Sequence, residues 1–239
     1  MHPLVSASKR GKGNEELTYP GCVIVDNKTG DIYIADCFNN CVKVFDSTAG
    51  YIFKFGDSID EGKMSCPRSL VICKSRMIIT HNHYILNYNF NGEYISSNGK
   101  QGKGKLEFSY PKSIAVNKSN DDIYISDSNN NRVQILSKDF QSKSQIGSFT
   151  FLLDVKLSKE YIYVLDESNP CIHLFNHNHI LLKSAISRGH GNQVIYPRSF
   201  FIDNSCNITI LIILLFLFLS SILKSNQFTI FQSLSIQQQ

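Results

Sequence analysis

The sequence predicts an all-β protein, a β-propeller made of repeated four-stranded units, and three observations carry that prediction. A segment recurs: "YPGCVIVDNKTGDIYIADCFNNCVKVFD" from Tyr19 and "YPKSIAVNKSNDDIYISDSNNNRVQILS" from Tyr110 align without a gap. Taken at Pro20, Pro67, Pro111, Leu152 and Pro197, with Leu152 standing in for a proline, the copies return at steps of 47, 44, 41 and 45 residues. That spacing is too long for a leucine-rich repeat and suits a propeller blade or a helical array. Within a copy, β-branched and aromatic residues fall in four short runs divided by turn residues, and no run is long enough for an ordinary helix. Four antiparallel strands per unit, repeated radially, give a propeller.

Each unit follows in order. The first has runs at 22–26, 31–36, 41–46 and 51–56. The second, "CPRSLVICKSRMIITHNHYILNYNFNGEYI" from Cys66, has His81 where the first has Asp36 and lacks the Asn pair. The third restores the pattern from Tyr110. The fourth, from Leu152, keeps Asp166 and Asn169 but continues with Pro170. The fifth opens with "YPRSFFIDNSCNITI" at Tyr196 and is on pattern to Ile210, where Leu211 to Leu215 replace the expected Asp and Asn pair. The expected organisation is a leading segment and first connecting loop at 1–18, a propeller at 19–210 with blades starting near 19, 66, 110, 152 and 196, and a tail at 211–239. That is about four and a half four-stranded blades.

The Asp that closes the second run and the Asn pair after it are turn-makers. A carboxylate there accepts from backbone N–H groups of the following turn, and Asn tolerates left-handed backbone. This role is expected of Asp36, Asn39, Asn40, Asp127, Asn130, Asn131 and Asp166, while Val42, Val44, Val133 and Ile135 should face neighbouring blades. The proline opening the first strand, "DIYIAD" or "DIYISD" as the second, then "NN" and "V-x-V-F", resemble the NHL repeat over roughly Lys9 to Ile210. Without tryptophan there is no W-D signature. The resemblance is to the C-terminal NHL domain of TRIM-NHL and Brat-like proteins. It implies closure at about six blades, so an incomplete ring that is a fragment or folds poorly alone is expected. It also implies single-stranded RNA as ligand, or else a protein ligand, as in the substrate-recognition part of a TRIM-type ubiquitin ligase. No Cys/His spacing here supplies a RING.

Charge points to one loop face. The net charge of +4 is too small to imply nucleic-acid binding by itself. Yet the connections between blades hold eleven basic residues against six acidic ones. The basic set is Lys9, Arg10, Lys12, Lys63, Arg68, Lys100, Lys103, Lys105, Lys112, Arg188 and Arg198; Arg68, Lys112 and Arg198 each follow a proline directly. A rim of cations and glycines suits phosphate contact, and Tyr19, Tyr110 and Tyr196 beside it can stack on unpaired bases. The same tyrosines are equally open to a core role.

Other chemistry is thin. Seven cysteines without a C-x-x-C favour reduced thiols in an intracellular protein, and the N-terminus lacks the apolar stretch of a signal peptide. The paired histidines His81 with His83 and His177 with His179 have no third ligand at telling distance, so neither a metal, a cofactor, a catalytic residue nor a small-molecule substrate is expected. The apolar run 208–223 is sixteen residues, and as a helix it reaches roughly 24 Å, short of the ~30 Å hydrocarbon core. The expected location is cytoplasmic, the alternative a single-pass anchor through this run; an off-frame or unspliced continuation after Ile210 is a further expectation, and fits the polar low-complexity end.

Overall fold

The computed structural model describes residues 10–58, 61–147, 149–167, 171–186, 197–202, 208–212 and 230–234. The first sheet comprises β1 (Pro20–Val25), β2 (Ile32–Asp36), β3 (Cys41–Phe45) and β4 (Tyr51–Phe55), and the second β5 (Pro67–Cys73), β6 (Arg76–His81), β7 (Tyr84–Tyr88) and β8 (Tyr94–Asn98). A short parallel pair, β9 (Lys100–Gln101) and β10 (Glu107–Phe108), leads into the third sheet of β11 (Pro111–Val116), β12 (Ile123–Asp127), β13 (Arg132–Leu136) and β14 (Ser142–Gly147). The fourth contains β15 (Leu152–Leu157), β16 (Tyr161–Asp166), β17 (Cys171–Asn176) and β18 (Leu181–Ile186). The fifth has three strands, β19 (Pro197–Ile202), β20 (Ile208–Ile212) and β21 (Ile230–Leu234). Among the described residues the only helical pieces are two three-residue 3-10 turns, Cys37–Asn39 and Ser128–Asn130.

Apart from the short parallel pair, every sheet is an antiparallel meander in chain order, and the first strands of successive blades contact one another in the same order. That is four propeller blades and part of a fifth. The register repeats: Pro20 faces Asp36, Pro67 faces His81, Pro111 faces Asp127, Leu152 faces Asp166 and Pro197 faces Ile212. The start of each inner strand, the end of the second, and the turn joining second to third therefore share one end of the blade. The segments joining blades lie on this same face, called the upper face below.

One apolar cluster fills each gap between sheets. Tyr33, Ala35, Val42, Val44 and Phe55 of the first sheet pack on Leu70, Met77, Ile79, Leu86 and Tyr88 of the second. Ile78 and Ile85 meet Ile114, Ile123, Ile125 and Leu136 between the second and third. Val133, Ile135 and Ile146 meet Val155, Ile162 and Val164 between the third and fourth, and Leu153, Tyr163 and Leu165 meet Phe200 between the fourth and fifth. Val42, Val44, Val133 and Ile135 thus face the next blade. A polar tie runs beside the inner strands: the buried Asp154 carboxylate accepts from Ser113 Oγ (2.5 Å) and Ser199 Oγ (2.8 Å), linking three blades.

The fifth sheet departs from the expected break at Ile210. Strand β20 continues to Ile212, and β21 pairs alongside it from Ile208↔Leu234 to Ile212↔Ile230. Apolar β-formers extend a strand whether or not the turn chemistry that should follow is present. Of the apolar run 208–223, residues 213–223 lie outside the described residues; among the described residues no helix is long and apolar enough to cross a membrane.

The ring is open at the first sheet. Three residues after the inner-strand proline, or after Leu152 in the fourth sheet, Leu70, Ile114, Val155 and Phe200 are 2%, 4%, 0% and 3% exposed, whereas Val23 is 60% exposed. Among the described residues the preceding blade covers that position from the second sheet onward, and none covers it in the first. Truncation at equivalent positions should therefore differ in cost. Ile114→Ala is expected to destabilise by about 2–5 kcal/mol and Val23→Ala by less than about 0.5 kcal/mol in urea denaturation; equal losses would show that the Val23 face is covered.

Candidate ligand-binding face

The upper face is shaped by one recurrent hydrogen bond. Two residues before each inner strand, a backbone N–H donates to the side chain that closes the second strand: Thr18 to Asp36 Oδ1 (2.7 Å), Ser109 to Asp127 Oδ1 (2.7 Å) and Thr150 to Asp166 Oδ2 (2.7 Å). In the second blade Ser65 donates to His81 Nδ1 (3.0 Å) instead. Neither Asp36 nor Asp127 caps its own 3-10 turn through its side chain. In the first and third blades this corrects the expected role: the carboxylate accepts from the backbone of the segment leading into its own blade and not from the backbone of the following turn.

The two asparagines of each turn divide the work. Asn40 and Asn131 adopt left-handed backbone with φ of 56° and 54°, and each reaches the next blade: Cys66 N–H donates to Asn40 Oδ1 (2.9 Å), and the Asn131 amide donates to the Thr150 carbonyl (3.1 Å). Asn39 and Asn130 stay in the 3-10 turn and donate to Asp36 Oδ2 (2.7 Å) and Asp127 Oδ2 (2.9 Å), and onward to the carbonyls of Gly11 and Gly102 (2.8 Å each). Asn169 lies outside the described residues.

Buried cations complete the site, and the sequence reading missed them. Lys43, 1% exposed, lies 3.2 Å from Asp36 Oδ2 and donates to the carbonyls of Gly13 and Glu16. In the third blade Arg132 Nε donates to Asp127 Oδ2 (2.8 Å) and its Nη2 to the carbonyls of Gly104 and Glu107, while Gln134 Nε2 donates to Glu107 O (2.7 Å). Lys43 stands two residues into β3 with Ile34 as its register partner, whereas Arg132 opens β13 opposite Asp127. A disulfide was also missed: Cys37 is joined to Cys66, against the expectation of reduced thiols, because the left-handed turn at Cys66 sets it against the neighbouring blade's turn.

The residues expected to bind a ligand are distributed as follows. Tyr19 and Tyr110, 61% and 49% exposed, are not core residues. Each precedes its proline with a left-handed φ, 61° and 49°, which throws the ring outward. Tyr19 stacks on Phe38 with centroids 4.9 Å apart, and Tyr110 meets His83 edge-on at 4.7 Å. Phe151 takes the same position in the fourth blade and is exposed, with Lys112 Nζ 4.1 Å above its ring. Arg68 is half-buried on β5. Lys100 pairs with Glu107 at 3.3 Å. Lys103 and Lys105 are exposed on the loop between β9 and β10, and Lys103 lines a shallow pocket of about 230 Å³ with Asn129, Asn130, Asn131 and Arg132. Arg198 takes the position on β19 that Arg68 and Lys112 take on theirs, but its side chain lies outside the described residues, as do Arg188 and Tyr196 entirely. The paired histidines gather no partners for metal: among the described residues no three His, Cys, Asp or Glu side chains could hold an ion together.

This arrangement of blades, register and turn defines a β-propeller. Two stretches of the chain, 17–45 and 108–136, match the family described as NHL repeat; these are the first three strands of the first and third blades with the segments that lead into them. No curated protein matches the chain. Among solved structures, the chain is similar to a streptogramin B lyase at TM-score 0.64 and 12% identity, covering 80% of this chain and 61% of that one. It is also similar to the Pan2 WD40 domain of Neurospora crassa at 0.62 and 12%, covering 80% and 55%, and to the hydrazine synthase of Kuenenia stuttgartiensis at 0.65 and 11%, covering 82% and 56%. The chain spans about three fifths of the length of such structures, and at these identities the likeness is one of fold.

Two outcomes test the upper-face network. Asp127→Ala removes the buried acceptor of the Ser109 N–H, Arg132 Nε and Gln134 Nε2, and should cost about 1–3 kcal/mol in urea denaturation. Burial lowers the His81 pKa, the proximity of His83 lowers it further, and the Ser65 carbonyl at 3.4 Å opposes. The native imidazole is thus neutral and accepts the Ser65 N–H, while the unfolded chain takes up a proton near pH 6.5. The resulting stability is complete above about pH 6.5 and is lost as pH falls from there through the lowered native value. His81→Asp should shrink this acid-side loss in a pH series of melting temperatures, leaving the part due to His173 and His179, whose values burial also lowers.

Proposed function

We propose that this chain is a non-catalytic binding module whose upper face takes single-stranded RNA. The observation that supports the reading is the alternation of outward aromatic rings and cations there: Tyr19, Tyr110 and Phe151 one residue before their inner strands, Arg68 and Lys112 one residue after a proline. Unpaired bases stack on such rings whatever their identity, and phosphates between them meet Lys and Arg. The glycine-rich loop with Lys103 and Lys105 extends the cationic surface over the third blade. Internal pairing limits the number of cations free for phosphate, since Arg132 is held by Asp127 and Lys100 by Glu107.

A protein ligand is the second reading, favoured by the exposed acidic Asp57 and Glu61 in the segment ahead of Cys66. Such a surface would serve substrate recognition, as in a TRIM-type ubiquitin ligase. The lyase and synthase names among the structural neighbours belong to those proteins. A cytoplasmic site of action fits the RNA reading, and a membrane tether through 208–223 is the variant of it in which the propeller acts as a scaffold or sensor.

Titrating a fluorescein-labelled 12-nucleotide single-stranded RNA by polarisation decides between the two readings. With about three or four phosphates neutralised, log K should fall against log salt with a slope of about −2 to −3. Lys103→Glu with Lys105→Glu should flatten that slope by about 1.4, and Tyr110→Ala should weaken binding by about 1–3 kcal/mol without changing it. Affinity that ignores salt, or no binding at low salt, would sink the RNA reading and leave the protein one.

A further inference from the structure

We propose that Cys37 and Cys66 form a reversible thiol–disulfide site, exchanging with thiols of the glutathione class, that couples the first blade to the second on the upper face. Cys37 opens the 3-10 turn of the first blade and is fully buried, whereas Cys66 is the residue just before Pro67, left-handed at φ 51° and partly exposed. The disulfide joins them across the gap between the blades. The corresponding pair between the third and fourth blades is Ser128 and Phe151, so the link is particular to this junction.

The surroundings account for its place. The segment leading into the second blade is held on a neutral imidazole at 3.0 Å, where the other three blades use carboxylates at 2.7 Å. A hydrogen bond to a charged acceptor is the stronger kind, so this junction has the weakest polar anchor of the four and carries a covalent one. Of the four other described cysteines, Cys22 is a half-buried free thiol whose Sγ donates to the Leu70 carbonyl at 3.8 Å, and the other three are poor partners for exchange. Cys41, Cys73 and Cys171 are buried thiols, and burial raises all three, Cys41 to about 11, which leaves little of the reactive thiolate.

The chemistry balances with two reductant thiols. A thiolate attacks the exposed Cys66 sulfur, and the S–S bond breaks towards Cys37, which leaves as a thiolate and takes a proton. A second thiolate then attacks the outer sulfur of the mixed disulfide, releasing Cys66 as a thiol and the oxidised reductant as its disulfide. Two electrons pass to the protein, and glutathione disulfide reverses the sequence.

The test uses the full chain equilibrated natively in glutathione buffers, alkylated, and peptide-mapped without reduction, beside melting temperatures. The expected result is a linked peptide containing Cys37 and Cys66 that disappears on native reduction and returns with glutathione disulfide. The melting temperature should fall by about 5–10 °C on reduction. Cys37→Ser should melt like the reduced protein and stop responding to redox conditions, while Cys41→Ser should respond like the parent. The proposal is overturned by the absence of the linked peptide under oxidising buffer, by a link that yields to glutathione only after denaturation, or by loss of the redox response in Cys41→Ser.

Discussion

The bond from a backbone N–H to the side chain closing the second strand is the constraint on which the upper face depends. It recurs in four blades, with Thr18, Ser65, Ser109 and Thr150 as donors. A buried carboxylate without donors is prohibitively costly, and a connecting segment without an anchor is mobile. Each satisfies the other here. In the first three blades the residue after the pinned segment turns through left-handed backbone to reach the proline, and in the first and third that turn sends a tyrosine to solvent. Lys43 and Arg132 then neutralise Asp36 and Asp127 and hold the carbonyls of the same segments. The anchor is repeated in four blades, and the first and third add an internal ion pair to it.

The repeat, its four strands and its inter-blade valines were legible because strand periodicity and turn chemistry are local properties. The direction of the Asp hydrogen bonds was not, because the donors lie 18 residues earlier in the first and third blades and 16 earlier in the second and fourth. Nothing in "DCFNN" alone distinguishes a bond forward to the turn from one back to the preceding segment. The Ser or Thr two positions before each inner strand, in "TYP", "SCP", "SYP" and "TFL", was visible as a pattern, but its N–H does the work and its identity carries little signal. Lys43 would be classed as exposed by residue type, and its burial follows from carbonyls of residues 13 and 16 that only the tertiary fold brings near. The cysteine pair failed for a related reason: rules based on spacing look for close cysteines, and these are 29 residues apart.

The second blade shows how far the construction bends. Its turn is two residues shorter and carries no Asn pair, yet the His81 register matches that of the three aspartates. An imidazole nitrogen replaces a carboxylate oxygen as acceptor, and burial holds the pKa of this imidazole below its ordinary value. The blade keeps its shape at neutral pH because acceptance, not charge, is what the Ser65 N–H requires.

The left-handed residue before each of the first three inner strands has a broader consequence. Tyr19, Cys66 and Tyr110 occupy φ between 49° and 61°, a conformation imposed by bonds made one residue earlier and by the proline one residue later. The side chain there contributes almost nothing to its own placement. Two tyrosines and a cysteine have been installed in equivalent sockets of one frame. The rim behaves as a set of interchangeable teeth on a rigid wheel: what the surface recognises can be rewritten one blade at a time, and the packed interior between the blades need not change.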